Sequence, residues 1–425
     1  MISGPLHRIL TDDDVHADPG EARRFARHLS ALTLTKVADG LIDPKLVLAW
    51  IMSAVGAPGY LVGALVPVRE SGALLPQIVL ARQAQQSRQR KWFWAAGSAV
   101  QGLAALGCAA AAILLDGAAA GWAIIACLAA LALARAACST SYKDILARTL
   151  QKGSRGTVSG AAGTVAAAAV LGFAALLSFG IIPLTVPAIA VAIAIAGAMW
   201  LGGAAIFAGL DEPAAEPDAS GFDNPATLLK PLIKDTEFRT YIAVRGLLIA
   251  TALAPPFIVL LTSAGGQGQE LGNLGPLLLA SATAAIVSSY VWGRLSDTSS
   301  RQTLMWSGGL ATLALGGAAL LGLMTASPDG IWAAAALLFV AQIAYEGVRA
   351  GRKTHLTDMD TADEKAVYTA LSNTMIGVLL LAGGGFGLLA DVMGAAIVLA
   401  VFAGMSAVAV LVAMGLTEVQ QDGSS

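Results

Sequence analysis

Charge is what this sequence has least of. Only 13% of its 425 residues are Asp, Glu, Lys or Arg, against 56% hydrophobic residues and a mean hydropathy of +0.71. An ordinary soluble domain is roughly a quarter charged, so the composition excludes a water-soluble globular protein and implies a membrane one. Cysteine is scarce too. Cys108, Cys127 and Cys138 all lie in or beside apolar stretches, which excludes a disulfide framework and a Cys–His zinc centre; reduced, structural thiols are expected, with no metal and no cofactor. The four histidines, His7, His16, His28 and His355, avoid the interior of every apolar stretch. A proton relay inside the membrane would therefore use carboxylates. No long basic run is present, which excludes a nucleic-acid partner. No phosphate loop and no placed nucleophile–base pair are found, which excludes an ATP-driven pump or an enzyme. Met1–Arg27 is polar and lacks a short apolar core with a cleavage site, so targeting is expected from the first span itself.

What the sequence has in abundance is long apolar runs. A helix crosses a bilayer with roughly 20 mostly apolar residues, and twelve candidates begin near Leu29, Gly59, Phe93, Gly121, Thr157, Val186, Tyr241, Leu274, Thr303, Ile331, Val367 and Gly394. The alternation of a β-barrel is absent. The expected fold is an all-α membrane protein with twelve transmembrane helices in two six-helix halves. Residues 1–28 form a cytoplasmic tail, 29–210 the first half, 211–240 a linker, 241–416 the second half and 417–425 a second tail. Of the 26 Lys and Arg, only Lys36, Lys45, Arg69, Arg135 and Arg245 fall inside spans; the others sit in the N-terminal tail or in every second connection. Positive residues near span ends stay in the cytoplasm, so a bacterial-type inner membrane with both termini inside is expected. Trp92, Trp94, Trp122, Trp292, Trp306 and Trp332 lie near span ends, where indoles favour the interface, while Trp50 and Trp200 lie deeper and are read as packing.

The halves echo one another. Lys143 and Lys353, Leu146 and Leu356, Arg155 and Lys365, Thr164 and Thr374, and Lys91 and Arg301 recur at one constant separation of 210 residues. Parallel six-span repeats are a recurring transporter plan. Between spans eight and nine runs Gly293-Arg294-Leu295-Ser296-Asp297-Thr298-Ser299-Ser300-Arg301. It resembles the cytoplasmic signature of the major facilitator superfamily, Gly-x-Leu-x-Asp-x-x-x-Arg, and with the topology the resemblance covers the whole chain. It implies that Asp297 and Arg301 help close the cytoplasmic side, and that spans one, two, four and five border the pathway. The first half departs from the pattern: Leu80–Lys91 keeps basic residues and lacks the acid, which assigns the lock to the second half. The fifth span lacks the Gly-Pro pair of many drug antiporters, and Gly156, Gly160 and Gly163 are read as close-packing positions.

Charges inside spans carry the functional reading. Each costs about 2.5–3.5 kcal/mol on insertion scales, so each needs a partner or a wet cavity. Lys36, Asp39 and Asp43 share a helix face at i, i+3 and i+7, and Pro44 loosens the helix beside them. Lys45 lies off that face. Arg69 and Glu70 in span two and Arg135 in span four complete the cluster. The pathway is expected at Lys36, Asp39, Asp43, Arg69, Glu70 and Arg135, with gating at Arg245, Asp297 and Arg301. Glu346 and Arg349 are read as a local pair. The bland reading is that the charges only neutralise one another. The expected function is secondary active transport of a small polar or charged solute by alternating access, by a monomer among lipids, with protons as candidate coupling ions. The alternative is a non-transporting sensor, assembly factor or lipid-handling protein on the same scaffold. A contiguous charged cavity favours the first; a filled centre favours the second.

Overall fold

The computed structural model describes residues 19–214, 229–263, 274–324, 330–359 and 365–420. His7, His16, the linker segment 215–228 and residues 421–425 lie outside them. The described residues form helices and no strand. Ala, Gly and Leu set this, because in hydrocarbon a helix satisfies its own backbone groups.

The first set of helices is α1 (Pro19–Ile42), α2 (Val47–Ala54), α3 (Gly59–Leu74), α4 (Gln77–Gln85), α5 (Lys91–Leu114), α6 (Gly117–Thr149), α7 (Lys152–Ser178) and α8 (Val186–Ala208). The second is α9 (Lys230–Lys234), α10 (Thr236–Leu247), α11 (Ile249–Ser263), α12 (Leu274–Thr298), α13 (Ser300–Met324), α14 (Gly330–Asp358), α15 (Lys365–Ala382), α16 (Gly385–Met393) and α17 (Ala395–Ala413). Among the described residues ten helical stretches are long and apolar enough to cross a membrane, α10 with α11 and α15 with α16 each counting as one, and α3 with α4 makes an eleventh only as a pair bent by 43°. The protein is thus multi-pass. The first expected span falls outside this count because α1 carries Arg23, Arg24, Arg27, Lys36 and Asp39 and then breaks. α1 also begins at Pro19, inside the segment read as a tail.

Within the first set α1 packs on α7 and α8, α5 on α6 and α8, and α3 on α6; within the second, α13 packs on α14 and α17, α12 on α14, and α11 on α17. Small residues set the approach. A Cβ on Gly102 of α5 would stand 2.7 Å from the Gly197 carbonyl oxygen of α8, and one on Gly197 would stand 2.9 Å from that of Gly102. Trp50 and Trp200 are buried in the core, as read from their depth. Trp92, Trp122, Trp306 and Trp332 are exposed at helix ends. Trp94 and Trp292 are not interfacial: Trp94 packs on Phe207 at 4.0 Å and Trp292 Nε1 donates to the Ile343 carbonyl at 2.8 Å. Position along a span does not reveal which way the indole points.

The constant separation in sequence reappears as contacts. Lys91 at the start of α5 donates to the Leu210 carbonyl just past α8, and Arg301 at the start of α13 donates to the Met414 carbonyl just past α17, at 2.8 and 2.9 Å. Arg155 donates to the Leu150 carbonyl past the end of α6, and Lys365 to the Thr357 carbonyl at the end of α14, at 2.9 and 2.8 Å. Each cation sits where the last carbonyls and the helix dipole favour one. These contacts gather at one end of the bundle, the basic end. The opposite, far end holds Gly117, Ser178 and Gly394.

Candidate functional site

Asp43 and Pro44 separate α1 from α2. Pro44 offers no N–H, and the Asp43 carboxylate accepts the N–H groups of Lys45 and Leu46 at 2.7 and 3.3 Å, a local turn that leads into α2. The break opens beside a cavity of about 280 Å³ lined by Asp39, Asp43, Lys45, Arg69, Glu70 and Arg135 from the first set, and by Gln342, Tyr345, Glu346 and Arg349 of α14 from the second. Five of the six residues expected on the pathway therefore meet at one cavity. Lys36 stands apart, donating to the Ser159 carbonyl of α7 at 2.8 Å. It shares a helix face with Asp39 yet makes no ion pair with it among the described residues.

Asp39 bridges two helices. One carboxylate oxygen receives Arg69 Nη2 of α3 at 3.4 Å, and the other receives Arg135 Nη1 of α6. Lys45 places its ammonium 3.5 Å from the centre of the Tyr345 ring, a cation–π contact between the two sets. Glu70 lies among Lys45, Arg69, Arg349 and Arg352 without a direct ion pair among the described residues. Arg349 pairs with Glu346 at 3.1 Å, as their spacing predicts. The cavity wall balances four cations, Lys45, Arg69, Arg135 and Arg349, against Asp39, Asp43, Glu70 and Glu346. No group of three or more His, Cys, Asp or Glu placed to hold a metal occurs among the described residues.

A second cavity of about 50 Å³ adjoins the first, sharing Glu70, Tyr345 and Arg349 and adding Arg245 and Arg352. Arg245 donates to Ser372 Oγ and to Asn373 Oδ1 of α15, and Asn373 in turn donates to Gln77 Oε1 of α4 at 3.2 Å. The expected gating residues therefore do not meet. Asp297 is exposed and makes no ion pair among the described residues, while Arg301 grips the end of α17.

The two sets touch along α3, which packs on α11, α15 and α16, and where α7 meets α12. At the far end the fit is close. Asp391 of the second set accepts the Tyr60 N–H at the start of α3 at 3.1 Å. A Cβ on Gly63 would stand 2.6 Å from the Gly387 Cα, and one on Gly275 would stand 2.8 Å from the Ser178 Cα. Towards the basic end α7 faces space instead: a Cβ on Gly156 or Gly160 would meet nothing within 4 Å. These two glycines are not the close-packing positions their spacing suggested; Gly163, where a Cβ would come 3.3 Å from Lys36 Nζ, does sit close to a neighbour.

Sequence reasoning missed three acids. Glu212 accepts the N–H groups of Arg90 and Lys91 at 3.2 and 2.8 Å, capping α5, and Asp144 pairs with Arg90 and Arg148. They supply, from the end of α6 and the residues after α8, the negative charge missing from Leu80–Lys91. Asp391 is the third. All three looked like ordinary connection residues.

No family model and no curated protein matches the chain. Solved structures do. The nucleoside transporter NupG, in a point-mutant form, superposes with a TM-score of 0.73 at 13% identity, over 92% of this chain and 99% of that one. A bacterial homologue of the human lysosomal transporter Spinster, inward-facing and occupied, gives 0.62 at 14% identity over 94% and 97%. A POT family transporter bound to a thioalcohol-conjugated peptide gives 0.66 at 8% identity over 92% and 94%. All three are transporters and not enzymes. The chain shares the fold of these transporters, in keeping with the resemblance carried by Gly293–Arg301.

Proposed function

We propose that the protein is a secondary transporter that moves a small polar or charged solute across a bacterial-type inner membrane by alternating access. It works as twelve spans in two six-span halves, with α1 and its continuation α2 as the first span and both termini cytoplasmic. The observation that carries this is the cavity of about 280 Å³ at the break of the first span, walled by charged residues of both helix sets. A structural charge network alone would fill its own centre. The size suits a small metabolite, since drug-sized ligands occupy roughly 300–1,000 Å³.

The close far end and the open face of α7 favour an inward-facing conformation here. In the alternate state the Asp391–Tyr60 contact opens and the basic end closes, with Asp297 and Arg301 contributing to that closure. Arg245 acts on the gate through Asn373 and Gln77. Coupling to protons falls to Glu70 among the carboxylates. Asp39 is held by two arginines and Asp43 by two backbone N–H groups, whereas Glu70 has several cations near it and, among the described residues, no fixed partner.

The test is an untargeted comparison of solutes taken up or released by cells lacking and overexpressing the protein, followed by uptake into proteoliposomes. The expected result is one small polar or charged solute that accumulates against its gradient in wild type and in the Asp43→Asn variant but only equilibrates in Glu70→Gln. A set of solutes indistinguishable between the two cell types would overturn the transport reading in favour of a non-transporting role.

A further inference from the structure

Arg245 is buried, at 8% exposure, near the end of α10. A guanidinium has five N–H donors and keeps its charge at any physiological pH. Two of its nitrogens donate to the neutral oxygens of Ser372 and Asn373, the neutral Tyr241 hydroxyl lies beside it, and among the described residues Nε is buried with no acceptor. Among the described residues no carboxylate forms an ion pair with it. Buried charge of this kind is ordinarily paired. Here the missing element is an anion, and the space for it is present.

That space is the cavity of about 50 Å³. Arg352 lines it too and likewise forms no ion pair among the described residues. Arg349 also lines it but is matched by Glu346. Glu70 stands where the two cavities meet, and its charge is already shared among Lys45, Arg69, Arg349 and Arg352. The volume exceeds what one water needs and is far too small for a whole metabolite, so it suits a head group. Cations outnumber acids here, with Arg245, Arg349 and Arg352 against Glu70, and Arg245 and Arg352 add two cations beyond the balanced wall of the larger cavity.

We propose that this small cavity is a subsite for the carboxylate of an organic anion, gripped by Arg245 with Arg352 beside it, while the larger cavity holds the remainder of the molecule. A guanidinium recognises a carboxylate through two parallel N–H groups. The proposal rests on the transporter reading and narrows its solute to a small carboxylate.

The test uses the full chain, purified in detergent, with Cys108, Cys127 and Cys138 replaced by Ser and a single reporter, Ala252→Cys, on the wall of the cavity. An anionic methanethiosulfonate (ethylsulfonate) should modify this cysteine faster than its cationic counterpart (ethyltrimethylammonium) by about tenfold or more, because a cleft of one sign concentrates the opposite charge. Benzoate should slow the reaction and benzamide should not. Arg245→Gln should abolish both the charge preference and the benzoate effect; Arg245→Lys, which keeps the charge, should preserve the preference and controls for folding. Equal rates for the two reagents, protection by benzamide equal to that by benzoate, or an unchanged preference in Arg245→Gln would each overturn the subsite. The transporter reading fails separately, on the solute comparison above, which needs no anion site.

Discussion

At the residue scale, Asp39 decides how the centre is held. Its two oxygens serve arginines on α3 and α6, so it ties three helices at once. Asp39→Asn would leave Arg69 and Arg135 facing each other without the carboxylate that bridges them. Removing one member of a buried pair costs more than removing both. The carboxylate is 22% exposed, so solvent discounts the effect, and a loss of about 1–3 kcal/mol is expected. Unfolding in mixed detergent should show it, with part of the loss restored in Asp39→Asn/Arg135→Gln. A double variant as unstable as the single one would mean that Arg135 does not depend on Asp39.

The same residue marks how far the sequence could be read. Lys36, Asp39, Asp43, Arg69, Glu70 and Arg135 stood out because charge in apolar runs is improbable, and all but Lys36 line one cavity. Their partners were not legible. Helical spacing put Lys36 beside Asp39, yet its ammonium reaches the Ser159 carbonyl, while Asp39 takes arginines from two other helices. Periodicity reports which residues share a face, not which neighbouring helix that face meets. Tyr345, which receives Lys45 from the other helix set, carries no charge and gave no signal.

At the element scale, helix ends carry most of the polar chemistry. Glu212 caps α5, and Ser299 with Glu418 and Gln420 secures the start of α13. In both cases the acid follows the last helix of its set, so closing the set and capping its third long helix are one interaction. Loss of a cap costs about 1 kcal/mol. Glu212→Ala should lower stability by about that much and speed amide exchange at Arg90–Trp94, leaving the first turn of α13 unchanged. Equal exchange in both helices would show that the carboxylate is not the cap. The departure of Leu80–Lys91 from the signature was hard to read for this reason. The acid it lacks is supplied from elsewhere in the chain, by residues that in sequence belong to a helix end and a linker.

At the scale of the whole molecule, the all-helical, transporter-like fold was legible, and among the described residues ten helical stretches meet the length and apolarity of a span. Apolar length identified the later helices, whereas α1 is polar enough to fall below the threshold and is secured by its partners. A contact made in one conformation alone biases the equilibrium between conformations. Gly63→Leu cannot coexist with the approach of Gly387, so it should favour opening of the far end and raise labelling of a cysteine at Tyr60 by an impermeant reagent. Asp297 has no ion-pair partner among the described residues in the present conformation, so Asp297→Asn should weaken only the alternate one. It should lower labelling at Tyr60 and raise that of cysteines reached from the basic end. Parallel changes in the two variants would remove both residues from the gates.

The polarity of α1 bears on how the chain is made. Lys36 and Asp39 each carry an insertion cost of about 2.5–3.5 kcal/mol at the centre of a bilayer. The groups that offset them, Arg69, Arg135 and the Ser159 carbonyl, lie in α3, α6 and α7. All of these leave the ribosome after α1. Insertion of α1 alone is therefore expected to be less favourable than insertion of the longer chain. The helix is completed retroactively, as its counter-charges are translated.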